Sequence, residues 1–244
     1  MTLTGLKFPT MKRFYEALIF DFDRADDGHW MAGGSVTWSK LKGNTEGTVK
    51  SDAGNTAQTD AGSTTDFDYL GLTDYSYGRL PNDHTWQFKL YGAYHFNKYF
   101  TLGTNIFVES PMYGSCEGIH PTDQYAAGYL SNSYYCGDPT TYDAATDSYA
   151  SNIPSPRGTG YKSDWLTQVD ISARINVPIG DDDEHKFTIR ADVFNVLNTH
   201  QVIQRYGENE LDQGGVGYLR DPEYLTPLNY SPPRTVRVGF DLTF

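Results

Sequence analysis

The chain has 244 residues, a formal net charge of −12 and a mean hydropathy of −0.55. No run approaches the roughly 18 apolar residues of a transmembrane helix, so that class is excluded. The acidic balance argues against nucleic acid as a partner, because phosphate binding needs a basic surface. Nineteen Tyr and four Trp suit either aromatic girdles at a bilayer interface or a carbohydrate-binding sandwich.

Alternation with period two recurs along the chain, which is the signature of strands with one apolar and one polar face. Leu18, Phe20 and Phe22 alternate with Ile19, Asp21 and Asp23, predicting a first strand over 13–23, the least regular of the set. Trp30, Ala32, Val36 and Trp38 predict a second over 29–40. Trp86, Phe88, Leu90 and Tyr94 oppose Gln87, Lys89 and Tyr91 over 85–95, and Leu102, Ile106 and Val108 oppose Thr101, Gly103 and Asn105 over 98–109. Trp165, Val169, Ile171, Ala173, Ile175 and Val177 share a face over 164–177, broken only by Thr167. Phe187, Ile189, Ala191 and Val193 follow over 186–197. The last strand, 234–244, sets Val236, Val238, Phe240, Leu242 and Phe244 against Thr235, Arg237, Gly239, Asp241 and Thr243. Its length matches the 9–11 or so residues that a tilted strand needs to cross a bilayer.

The connections alternate as well. Arg24–Gly28, Phe96–Asn97 and Pro178–Glu184 are short polar turns, whereas 41–84, 110–163 and 198–233 are long loops. In an antiparallel meander all the short turns then lie at one end and all the long loops at the other, the arrangement of outer-membrane barrels. The expected fold is therefore all-β: an antiparallel up-and-down transmembrane β-barrel segment of about seven strands. An odd number cannot close on itself as antiparallel pairs, so the expected sheet is open.

The stretch Phe187-Thr-Ile-Arg-Ala-Asp-Val-Phe-Asn-Val-Leu-Asn198 resembles the penultimate strand of TonB-dependent outer-membrane receptors, in which an R-x-D-x-F-N-x-x-N segment recurs. The aromatic-ended strand closing at Phe244 is similar to the recognition signal read by the barrel-assembly machinery. Gly78-Arg-Leu-Pro-Asn-Asp-His-Thr-Trp-Gln-Phe-Lys-Leu-Tyr-Gly-Ala-Tyr94, Pro156-Arg-Gly-Thr-Gly160 and Trp165-Leu-Thr-Gln-Val-Asp170 resemble the Oar-like subgroup, which carries a carboxypeptidase-regulatory domain. Together these cover most of the chain. The resemblance implies that 1–244 is the C-terminal third of a roughly 22-stranded barrel, in the outer membrane of a Gram-negative bacterium, with outer-membrane lipid around it. It implies nutrient uptake in the intact receptor, with TonB and a plug domain as partners there, and neither cofactor nor enzymatic activity. Met1-Thr-Leu-Thr-Gly-Leu-Lys7 has no basic region followed by an apolar one, and the plug is missing, so the expectation is a piece of a receptor, whose substrate the sequence does not name.

Within that reading Val236, Val238, Phe240, Leu242 and Phe244 form a C-terminal insertion signal that faces lipid. Asp170, Arg174, Arg190, Asp192, Arg237 and Asp241 lie on the opposite, lumen-facing side of three consecutive strands, where opposite charges meet across a sheet. They read as plug-docking or lumen-solvating residues. Cys116 and Cys136 share one exported loop and read as a disulfide, the alternative being two unpaired structural cysteines. Closing about 20 residues constrains the loop by roughly 3 kcal/mol in the chain-entropy model.

Chemistry is otherwise sparse. His29, His84, His95, His120, His185 and His200 are scattered, without ligand spacing. The Asp181–Glu184 run and the abundant loop acids read as solvated, and the Gly/Thr/Asp-rich stretches Asp52–Thr56 and Asp60–Thr64 read as flexible. No strand sets a Ser and a His on one face, so no catalytic residues are expected. The competing class is a soluble secreted β-sandwich carbohydrate-binding module, from which dependence on detergent separates the barrel.

Overall fold

The computed structural model describes residues 5, 7–52, 62, 64–180, 185–211 and 218–243. Seven long strands dominate it: β1 (Arg13–Arg24), β2 (Trp30–Gly43), β3 (Trp86–His95), β4 (Phe100–Glu109), β5 (Leu166–Pro178), β6 (Lys186–Phe194) and β7 (Thr235–Thr243). They pair antiparallel in sequence order, and a two-residue strand, Gly78–Arg79, extends the sheet at the loop end of β2. The outer edges of β1 and β7 have no partner among the described residues, so the sheet is open. Among the described residues no helix is long and apolar enough to cross a membrane.

The register aligns the alternation of every strand. Across the first five strands, Phe20, Val36, Phe88, Val108 and Thr167 form one row. Across the last four, Leu102, Ala173, Ala191 and Val238 form another. A row of the opposite face runs Met31, Ala93, Gly103, Ser172, Asp192 and Arg237. A one-residue slip in any pair would turn that strand's apolar set to the polar side, and no slip occurs. The apolar face is not a core: Leu18, Phe20 and Phe240 are 72%, 70% and 64% exposed.

Side chains close the tight turns. Asp27 accepts hydrogen bonds from the amides of His29 and Trp30, and Gly28 turns the chain with φ 85°. Asn97 accepts from Tyr99 and Phe100, which is why β4 begins at Phe100 and not at residue 98. The Asp181–Glu184 run and Phe244 lie outside the described residues, as do 53–61 and 63, which hold most of the Asp52–Thr56 and Asp60–Thr64 stretches.

The loops depart furthest from expectation. They hold short strand pairs, a helical turn at Gln124–Ala127 and a buried interior. Leu41, Leu72, Leu80, Ala126, Tyr134 and Tyr206 are buried there or beneath them, alongside Glu46, Asp52, Asp66, Asp83, Glu117, Glu208 and Glu210. These seven acids, read from sequence as solvated, are thus internal, whereas Asp68, Asp74, Asp143 and Glu223 are exposed. The cause is long-range pairing with cations and backbone amides, which leaves no periodic trace.

Candidate functional site

The polar face of β5–β7 is organised by one corner. Strand β6 stops at Phe194, short of residue 197, because Asn195 and Asn198 both adopt left-handed backbone, with φ 50° and 54°. Asparagine tolerates that region better than most side chains. The Asn195 amide donates to Asp170 Oδ1, and its Nδ2 donates to the carbonyls of Thr199 and Pro232. The Arg234 guanidinium donates to the Val196 carbonyl at 2.7 Å. The F-N-x-x-N stretch therefore fixes where β5, β6 and β7 enter the loop region.

The six charged residues expected on this face divide into pairs and singles. Arg237 donates to Asp192 Oδ2 through Nε and Nη2 at 2.9 and 2.7 Å, and Ser172 Oγ donates to Asp192 Oδ1 at 2.6 Å. Arg190 lies 3.6 Å from Asp241. Asp170 instead accepts from Gln168 and Asn195, and Arg174 stands directly across from Arg190, a like charge. Val236, Val238, Phe240 and Leu242 lie on the opposite, exposed face.

Beyond the strand ends, the long loops close over a charged centre that sequence reasoning missed. Arg157 is fully buried; its Nε and Nη2 donate to Asp52 at 2.7 and 3.1 Å, and Nη2 reaches Glu46 Oε1 at 2.8 Å. Lys50, also buried, lies 2.9 Å from Glu117 Oε2 and donates to the Asn132 carbonyl. Asp66 stands 4.0 Å from Lys50 and 3.8 Å from Arg157. The Tyr134 ring packs beneath both cations, 5.1 Å from Lys50 Nζ and 5.4 Å from the Arg157 guanidinium carbon.

Two cations face four carboxyl groups out of water, and the electrostatics follow from that imbalance. Burial pushes Glu117 from its ordinary 4.5 to about 8. Burial also raises Glu46, with help from neighbouring Asp52, and raises Asp66. Asp52 goes the other way: burial works against its ionisation, but Arg157 and Lys50 outweigh it and hold the carboxyl low. The third loop joins through Glu210, which accepts from the Ile119 amide and Asn152 Nδ2 at 2.9 Å each and is pushed by burial to about 7.

The only sequence traces of this centre are glycines. A Cβ on Gly78 would fall 1.9 Å from the Arg157 carbonyl oxygen, and one on Gly158, at φ +75°, 2.5 Å from that of Arg79. The Gly78-Arg79 and Pro156–Gly160 stretches are therefore in direct backbone contact, which only glycine permits. Next to them Cys116 and Cys136 are joined as a disulfide, Cα atoms 5.8 Å apart. Cys136 lies on the short strand Tyr135–Gly137, which pairs with Asn152–Pro154. Among the described residues no three His, Cys, Asp or Glu side chains are grouped as a metal site.

An open antiparallel sheet, apolar on one face and polar on the other, with tight turns at one end and folded loops at the other, defines an all-β protein consistent with a segment of barrel wall. The chain is similar to the TonB-dependent transporter Oar of Myxococcus xanthus, 27% identical over an aligned span of 271 residues, gaps included, which takes in 98% of this chain and 23% of that protein. The chain thus spans about a quarter of the length of the curated relative it matches. That similarity supports a distant relationship to TonB-dependent transporters. No family model matches, and no solved structure matches.

Proposed function

We propose that residues 1–244 form a C-terminal stretch of wall and outer loops in a TonB-dependent outer-membrane transporter, contributing to nutrient uptake by the intact receptor. The observation that carries this reading is the common register of the seven strands, which gathers their apolar side chains on one uncovered face. Water does not stabilise such a face, whereas lipid does. The opposite face, with the Arg237–Asp192 and Arg190–Asp241 pairs, then meets the lumen and, in the intact receptor, the plug. TonB and plug are partners of the whole protein, and the barrel-assembly machinery and outer-membrane lipid are partners of this segment. The role is transport, not catalysis. A carbohydrate-binding sandwich is disfavoured because its second sheet would have to cover Leu18, Phe20 and Phe240, which are exposed.

Single cysteines at Arg237 and Val238, probed in intact outer membranes with a water-soluble thiol reagent, test the reading. Arg237→Cys is expected to react and Val238→Cys to be protected. Equal labelling, or recovery of the chain as a soluble monomer without detergent, would favour the sandwich.

A further inference from the structure

At the loop end of β2 this acidic chain gathers positive charge. Lys42 stands directly across from Arg79, and Lys162 directly across from Tyr113. The Arg79 guanidinium carbon lies 4.1 Å from the Tyr113 ring centre and Lys162 Nζ lies 5.1 Å from it. With Tyr77, which is 50% exposed, these side chains bound a cleft of about 530 Å³. Arg79 is paired with Asp83 at 3.0 Å, but among the described residues neither Lys42 nor Lys162 has a carboxylate within ion-pair distance.

The position narrows the ligand. Lys42 lies an even number of residues from Trp38 and Val36 on a strand whose pairing with β1 is unbroken, so it shares their apolar face. Trp38 stands across from Trp86, and both begin the aromatic rim of that face. Four residues at about 3.3 Å each, on a strand tilted by about 45°, place Lys42 roughly 9 Å beyond that rim. Interfacial Trp marks the boundary of the hydrocarbon, so this cleft sits at headgroup depth, on the outer side of the wall. Lysine supplies point charges and arginine a planar fork, a combination suited to phosphate oxygens, and the phenols add donors.

We propose that this cleft holds a phosphate-bearing lipid headgroup of the leaflet from which the long loops emerge. The inference rests on the reading that the apolar face meets lipid. Native mass spectrometry of the chain extracted in detergent from outer membranes tests it, with three probes: a phosphorylated glycolipid, the same lipid after enzymatic dephosphorylation, and inorganic phosphate. Wild type is expected to retain the phosphorylated lipid at least tenfold better than its dephosphorylated form. A Lys42→Gln/Lys162→Gln double variant is expected to lose that preference, and Lys98→Gln, at the opposite end of the sheet, to keep it. Equal retention of both lipids, a preference unchanged in the double variant, or displacement of the lipid by inorganic phosphate at equal concentration would overturn the proposal. Membrane fractionation separates the two levels. A wild-type chain that fractionates with membranes but shows no phosphate preference defeats this inference alone, and one absent from membranes defeats the lipid-facing reading as well.

Discussion

Arg157 and Asp52, 105 residues apart in sequence, meet through two hydrogen bonds of 2.7 and 3.1 Å in the interior of the loop region. The pair joins the first long loop to the second, and Glu46 and Tyr134 enclose the same guanidinium. Because both partners are buried, the cost of separating them is chiefly that of leaving a charge without a counterion.

Arg157→Ala is accordingly expected to destabilise the loop region by about 3–5 kcal/mol, since it strands Asp52 and Glu46. Limited proteolysis of detergent-solubilised protein should show new cleavage within 44–85 and 110–165, with the strands still protected. Cleavage rates equal to wild type would show that the buried pair contributes little to holding the loops.

Stability of the loops is expected to fall as pH rises. Glu117 titrates near 8 when folded against an ordinary 4.5, so the folded state keeps a proton that the unfolded chain releases in between. The stabilisation from this group is complete below about 4.5 and is lost as pH climbs through about 8. Amide hydrogen exchange in the loops at pH 5 and pH 8.5 should differ in wild type and converge in Glu117→Gln. A pH slope unaltered by that substitution would assign the effect to other groups, Glu210 first among them.

Breaking the Cys116–Cys136 bond by a double serine substitution should cost roughly 3 kcal/mol for a loop of this length. Thermal melts with and without reductant measure it. The loss should be confined to loop signals, because neither cysteine contacts the seven-stranded sheet through a paired strand.

On the sheet, Val238→Arg should destabilise the membrane-inserted state by about 2–4 kcal/mol if it reaches the bilayer midplane. Gly239→Ser, one residue along on the polar face, should be close to neutral, since nothing lies within 4 Å of a Cβ placed there. Unfolding by denaturant in lipid vesicles reads both. Similar penalties at the two positions would deny any difference between the faces.

The strands were legible because each carries its own period-two record, repeated over nine or more residues. Val236 to Leu242 reads as a strand without reference to any other part of the chain, and the turns at Asp27 and Asn97 are local too. The loop centre was not legible, for the opposite reason. Lys50, Asp66, Glu117 and Arg157 acquire their meaning from partners as far as 111 residues away, and in isolation each looks like an ordinary surface charge. Gly78 and Gly158 marked the close approach, but a glycine in a loop has many explanations until its neighbour is known. Strand β6 was overextended by three residues because the alternation runs on through Val196, whereas the left-handed backbone at Asn195 does not show in the hydrophobic pattern.

The way Arg157, Glu117 and Glu210 draw on all three long loops bears on how such a chain can diverge. A change in one loop that shifts a carboxylate must be matched in the loop supplying its cation or amide donors, so single-loop replacement is disfavoured. The block of three hairpins with its crown intact should thus pass on as one unit. Diversity should therefore collect on the crown's outer rim, where Tyr125, Tyr142 and Leu130 are exposed, and be nearly silent around Arg157.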